Sequence, residues 1–127
     1  MKILISDPLS EIGLDLLRDS GFECIYLPKS DNAELESIIK VIDAWIIRSG
    51  TKIDYNLIKV SKNLKAIGRA GVGVDNINLD AATRKGNLNA LAVIRLDGRL
   101  LDDQLEEIKN IKNISSVSQI NTNYSLN

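Results

Sequence analysis

Two segments hold the residues of this chain whose types and spacing could do chemistry. They are Arg48-Ser49-Gly50-Thr51 and Gly68-Arg69-Ala70-Gly71-Val72-Gly73-Val74-Asp75-Asn76. Each follows an apolar run, Ala44-Trp45-Ile46-Ile47 in the first case and Leu64-Lys65-Ala66-Ile67 in the second, that reads as a buried strand. Glycines let the backbone turn tightly, present its N–H groups and approach a ligand without a side chain in the way. A guanidinium matches a carboxylate or phosphate with two parallel bonds. If the two strands are neighbours, Arg48, Ser49, Arg69 and the amides from Gly71 to Gly73 converge on one crevice. That crevice would lie at the carboxyl ends of parallel strands, where open α/β sheets take their ligands. The chemistry this suits is the binding of a small anion, a carboxylate or a phosphate ester. The same residues also admit a purely structural reading. Strand-end arginines can pair with Asp54 or Asp75, glycines can serve a turn, and Asn76 can close an Asx turn on its own backbone.

Other chemistries are excluded by composition. The 127 residues contain no histidine, so the chain supplies no Ser-His-Asp or Cys-His machinery, no histidine-ligated metal and no histidine acid or base. Cys24 is the single cysteine, which rules out an internal disulfide and a cysteine metal cluster. No Asp/Glu group has metal-binding spacing, and no catalytic residue is assigned. A net charge of -1 gives no global pull toward nucleic acid or an anionic membrane. No apolar run reaches a membrane span of roughly 20 residues, and the first residues lack the pattern of a secretory leader. The expected location is the cytoplasm. The run Gly71-Val72-Gly73-Val74-Asp75-Asn76 gives G-x-G-x-x-N, with the third glycine of a dinucleotide fingerprint missing and no long helix directly after it.

The elements that must position these segments alternate along the chain. Strands are expected over Lys2–Ser6, Phe22–Leu27, Ala44–Ile47, Leu64–Ile67, Leu88–Leu96 and, more polar, Ile114–Ile120. The third is apolar throughout, as a strand buried on both faces would be. Between them lie helical patterns. Asp7-Pro8 reads as an N-cap and first-turn proline for a helix with the stripe Leu9, Ile12, Gly13, Leu16, Leu17, ending at Gly21. A second helix carries Leu35, Ile38, Ile39 and Ile42. Asp54 and Asn78 cap two short helices, and a longer one carries Leu101, Leu105, Ile108 and Ile111. Trp45 and Cys24 read as core, Glu106 and Glu107 as a solvated face, and Asn121–Asn127 as a loose tail. This β-α alternation predicts an α/β fold: a flavodoxin-like, mostly parallel sheet of five to six strands with helices on both faces.

Several ordered motifs carry a family resemblance. Ile5-Ser6-Asp7-Pro8-Leu9-Ser10, Ile47-Arg48-Ser49-Gly50-Thr51-Lys52, Ile67-Gly68 through Asn76-Ile77, and Leu79-Asp80-Ala81-Ala82-Thr83-Arg84-Lys85-Gly86 resemble the start of the phosphoglycerate dehydrogenases of the NAD-dependent D-2-hydroxyacid dehydrogenase family. That family transfers a hydride from a 2-hydroxy acid to NAD, at the entry to serine synthesis for this branch. The resemblance implies that residues 1–86 form part of a substrate-binding domain for 3-phosphoglycerate. It implies that Arg48, Ser49 and Gly50 contact substrate, that amides around Gly71 and Gly73 hold its carboxylate, that Arg69 and Asn76 support the site, and that Val72 faces the nicotinamide. Residues 87–127 resemble the second half of an ACT domain, through Ala90–Gly98, Leu105–Ile108 and Ile114–Val117.

The family's Rossmann domain, with its G-x-G-x-x-G and catalytic Arg, Glu and His, has no counterpart between the two matches. The chain thus resembles two ends of such an enzyme joined near Gly86-Asn87-Leu88. The expectation is a substrate- or anion-binding remnant that binds no NAD and performs no turnover alone. Two alternatives stay open: a dehydrogenase completed by a partner chain, and a dimerising or amino-acid-sensing module built on the ACT-like segment. The Leu88–Leu96 strand either completes the first sheet or pairs between subunits.

Overall fold

The computed structural model describes residues 1–71, 73–85, 89–93, 99–112, 114 and 116–118. The chain divides into two compact units, Met1–Arg95 and Leu96–Asn127.

The first unit is a five-stranded sheet. In chain order it runs β1 (Lys2–Ile5), α1 (Glu11–Asp19), β2 (Glu23–Tyr26), α2 (Asn32–Ile38), β3 (Ala44–Ile47), α3 (Tyr55–Val60), β4 (Ala66–Ala70), α4 (Leu79–Arg84) and β5 (Asn89–Val93). The strand order is β2-β1-β3-β4-β5, with every pairing parallel. The expected flavodoxin-like α/β architecture is therefore present, and the strand that follows Gly86 joins this sheet beside β4. Right-handed crossovers put α1, which steps toward β2, on one face and α2, α3 and α4, which step the other way, on the opposite face.

The core follows that division. Leu4, Trp45, Ile47 and Ile67 alternate along β1, β3 and β4 and pack with Leu35, Ile39, Ile42, Leu57, Ile58, Ala81 and Ala82 from the α2–α4 side. The second helix thus buries the side expected of it. The opposite face is more open. Ala44 and Ile46 of β3 and Ala66 and Gly68 of β4 are only half-buried, so β3 is sealed on one face rather than two. Three helices cover the sheet on one side and one on the other, which is why an uninterrupted apolar run overstates its burial.

Two further expectations are corrected. Asp7 does not cap α1; Ser10 does, accepting from the Gly13 N–H at 3.3 Å. Asp7 is held elsewhere by longer-range partners, described below. In α1 itself only Leu14 is buried, while Ile12 and Leu16 are 76% and 66% exposed. The helix starts three residues later than the Asp7-Pro8 signal implied, and its inward face is shifted accordingly. Cys24 is half-buried rather than buried. Asp54 and Asn78 cap α3 and α4 as expected, accepting from Leu57 and Ala81 N–H groups at 2.9 Å each.

The second unit contains α5 (Asp102–Lys109), with Leu105 and Ile108 half-buried and Glu106 and Glu107 exposed. It is shorter than its apolar stripe suggested, since Leu101 only flanks its start and Ile111 lies beyond its end. The Gln104 side chain accepts from the Leu101 N–H at 2.9 Å, closing the first turn. Of the strand expected over 114–120, residues 114 and 116–118 have no regular structure and the others lie outside the described residues, as does the tail 121–127. Among the described residues no helix is long and apolar enough to cross a membrane, and no group of three or more Cys, Asp or Glu could hold a metal ion.

Candidate functional site

The strand order makes β3 and β4 neighbours, in register from Ala44↔Ala66 to Ile47↔Arg69. Their carboxyl ends therefore release the Arg48–Thr51 loop and the Gly71–Asn76 loop side by side. The boundary of the second loop differs from the sequence reading. Gly68, Arg69 and Ala70 belong to β4, paired with Leu91, Ala92 and Val93 of β5. Arg69 is thus a strand residue on the α2–α4 face. Its side chain is 5% exposed and lies beneath the glycine-rich loop.

From there the guanidinium organises the loop. Nε donates to Asn76 Oδ1 at 2.5 Å, Nη1 donates to the Gly73 carbonyl at 2.8 Å, and Nη2 lies 3.5 Å from Asp75 Oδ1. The Asp75 contact is the pairing that the structural reading anticipated, but the carboxylate is 88% exposed and contributes little in water. The bonds to Gly73 and Asn76 are the shorter ones. Gly73 has φ +76, a conformation that side chains rarely adopt, and Gly71 lies at φ 157 with the space for a Cβ taken up by Arg69 Nη1 at 3.0 Å. Both glycines are thereby explained. Val72, expected to face a nicotinamide, lies outside the described residues.

Asn76 makes no Asx turn. Its Nδ2 reaches across and donates to both the Arg48 and Thr51 carbonyls, each at 2.6 Å. Beyond it, Ile53 and Ile77 bridge the two connections in parallel, with Ile53 N donating to the Asn76 carbonyl at 2.8 Å. The two loops are thus tied into one unit.

The Arg48–Thr51 loop is gripped from its other side by a residue the sequence reading placed elsewhere. Asp7, 5% exposed, follows β1 by two positions. Its Oδ2 accepts from the N–H groups of Arg48 at 2.6 Å and Thr51 at 3.0 Å. Its Oδ1 would sit 2.5 Å from a Cβ at position 50, so Gly50 is the residue that lets the loop close over the carboxylate. Ser6 adds a third tie: its Oγ lies 2.8 Å from Thr51 Oγ1 and accepts from Trp45 Nε1 at 2.8 Å. The sequence signal at Asp7 pointed to a helix cap, and no local pattern marked its bonds to the Arg48–Thr51 loop.

Once these partners are in place, Arg48, Ser49 and Gly50 are exposed, with Arg48 Nη1 donating to the Pro8 carbonyl at 3.2 Å. Arg69 and Asn76 lie inward and hold the loops. A shallow groove of about 450 Å³ runs alongside, lined by Lys52, Tyr55, Asn56 and Asn78 among others. Arg48 and Ser49 do not line it, so they stand on open surface.

Comparison with known proteins gives the family. Residues 3–89 match the family model described as D-isomer specific 2-hydroxyacid dehydrogenase, catalytic domain. The chain is 44% identical over 86 residues to the D-3-phosphoglycerate dehydrogenase of Archaeoglobus fulgidus, an alignment covering 68% of this chain and 16% of that protein. It is 45% identical over 86 residues to the enzyme of the same name from Methanocaldococcus jannaschii, again over 68% and 16%. It resembles the crystal structure of NAD+-bound 3-phosphoglycerate dehydrogenase from Entamoeba histolytica with a TM-score of 0.64 and 31% identity, covering 72% of this chain and 32% of that one. The chain spans about a sixth of the length of the curated relatives it matches. On the match to residues 3–89, the chain belongs to the D-isomer specific 2-hydroxyacid dehydrogenase family.

Proposed function

We propose that this chain is a binding half-site for a small 2-hydroxy acid anion of the D-3-phosphoglycerate type. The ligand sits at the carboxyl ends of β3 and β4. Arg48 and Ser49 engage it through their side chains. The backbone around Gly71 and Gly73 receives its carboxylate, Gly50 lets the first loop close beneath it, and Arg69 and Asn76 hold the two loops in place. The observation that carries this reading is the cross-bracing by Asn76, which fixes the glycine-rich loop beside the exposed Arg48 and Ser49. The names of the relatives supply the substrate class.

The chain's own residues bind and orient but do not turn the substrate over. Removal of a hydroxyl proton needs a positioned base, and hydride transfer needs a nicotinamide. The described residues do not fit a dinucleotide. Its pyrophosphate would sit where a glycine loop opens directly onto a helix N-terminus. Here five residues, 74–78, separate Gly73 from the start of α4, and they are engaged by the Ile53–Ile77 bridge and the Asn78 cap. The pairing of β5 with β4 favours a place for that strand in the substrate-type sheet over an ACT-like regulatory unit.

The test is thermal unfolding with and without millimolar D-3-phosphoglycerate, using Arg48→Ala as control. A transition that rises with ligand in the native chain and not in the variant supports the half-site. No rise in either removes it.

A further inference from the structure

Resting on that reading of the site, we propose that Asp7 is its positioning residue: a resident carboxylate that fills the switch-point crevice of the sheet and so directs an incoming anion to the outer side of the Arg48–Thr51 loop.

The sheet reverses its direction of progress between β1 and β3, because α1 leaves β1 toward β2 while the later connections run toward β5. The crevice outside the carboxyl ends of two such strands is the usual seat of an anionic ligand in open α/β sheets. In this chain it is occupied from within. Asp7 comes from the end of β1, and both N–H groups it receives come from the loop that follows β3. A carboxylate only accepts, so it consumes the donors that would otherwise meet a ligand. The fit is close: Gly50 leaves room for Oδ1 and nothing larger than a hydrogen would. With Asp7 on the amides of Arg48 and Thr51 and Asn76 on their carbonyls, the backbone of the loop has one shape. In that shape the Arg48 and Ser49 side chains are exposed.

The position carries two opposed effects. Holding the loop lowers the ordering cost of binding, and a fixed negative charge next to an anion site lowers affinity. They can be separated chemically. An asparagine at position 7 can place its amide oxygen where Oδ2 lies, accepting both N–H groups without the charge. An alanine leaves two amides facing a space about the size of a formate ion.

The experiment measures the dissociation constant for D-3-phosphoglycerate, and hydrogen exchange at the Arg48 and Thr51 amides, in the native chain, Asp7→Asn and Asp7→Ala. In Asp7→Ala, affinity should fall roughly tenfold and both amides should lose protection. Added formate should restore part of each in Asp7→Ala, and should only compete in the native chain. Asp7→Asn should bind at least as tightly as the native chain even where it is less stable, an outcome that mere structural support would not give. If Asp7→Ala does not fold, Gly50→Ala takes its place, since its methyl group presses on the same carboxylate and should weaken binding in a folded chain. A folded Asp7→Ala that binds like the native chain, or native Arg48 and Thr51 amides that exchange freely, overturns the proposal. A native chain that binds no phosphoglycerate, yet protects both amides through Asp7, removes the half-site reading and leaves the loop-holding role standing.

Discussion

The two loops of the site are held by opposite means. The Arg48–Thr51 loop closes around a carboxylate, Asp7, and the Gly71–Asn76 loop closes over a guanidinium, Arg69. The difference follows from what each group can do. Asp7 accepts, so it draws in the N–H groups of its loop. Arg69 only donates, so it ties down the Gly73 carbonyl and the Asn76 side-chain oxygen and leaves the N–H groups of its loop to other acceptors. The lesson is that charge near a candidate site does not by itself indicate which backbone groups remain for a ligand. In the proposed half-site the first loop contributes side chains and the second contributes backbone.

That contrast can be broken at its stronger end first. Arg69→Leu removes a buried cation and leaves the Gly73 carbonyl and Asn76 Oδ1 without their donor. A loss of about 3–5 kcal/mol in urea unfolding is expected. A loss under about 1 kcal/mol would mean that the guanidinium is no more than a surface ion pair with Asp75. Asn76→Ala should come next, at about 2 kcal/mol, because it unties both loops at once. A double-mutant cycle with Asp7→Ala should return a coupling above about 0.5 kcal/mol, since both residues grip the same loop; strict additivity would show that the loops are independent.

Glycine substitutions sharpen the comparison further. Gly50→Ala drives a methyl group into Asp7 Oδ1 and should cost about 1–3 kcal/mol. Gly68→Ala, where the nearest atom to a new Cβ among the described residues is Ile46 Cγ1 at 3.9 Å, should be neutral or slightly stabilising by denaturant midpoint. Equal costs at the two positions would contradict the loop geometry.

The smallest effect concerns Asp43, away from both loops. Its carboxyl is held below its ordinary value of 3.8, mainly by the Lys2 N–H at 2.8 Å and further by Lys65 and the N-terminal charge, while burial works against the shift. A depressed carboxyl stabilises the fold above its unfolded value, and that contribution is lost as pH falls through the lower, folded one. Asp43→Asn should therefore lower Tm at neutral pH, with the deficit closing below 3.8. A deficit that persists unchanged in acid would mean that charge plays no part.

How much of this was legible in the sequence depended on the range of the interaction. Asp54 and Asn78 were readable as caps because the groups they bond lie three residues away. The parallel sheet was readable because apolar runs alternate with helical periodicity. Asp7 was misread for the complementary reason. Asp-Pro is a sound local signal for a helix start, but the partners that win are more than forty residues distant. Arg69 was placed in a loop because glycine and alanine flank it, whereas pairing with β5 carries the strand to Ala70. Arg48 and Ser49 were readable as residues at the end of β3, but the role of Asn76 as a brace between loops is a fact of tertiary structure. Ile12 and Leu16 show the converse error, a helical stripe that faces water.

The hydrogen bond from Trp45 to Ser6 has an optical consequence. Trp45 is the single tryptophan, is fully buried, and its indole N–H ends on the hydroxyl that also meets Thr51 in the first loop. The protein therefore carries its own unlabelled fluorophore, one shared hydroxyl removed from the loop. Emission should be blue-shifted while the loop is closed, and a ligand or substitution that loosens Thr51 should register in its wavelength and quenching before the sheet itself unfolds.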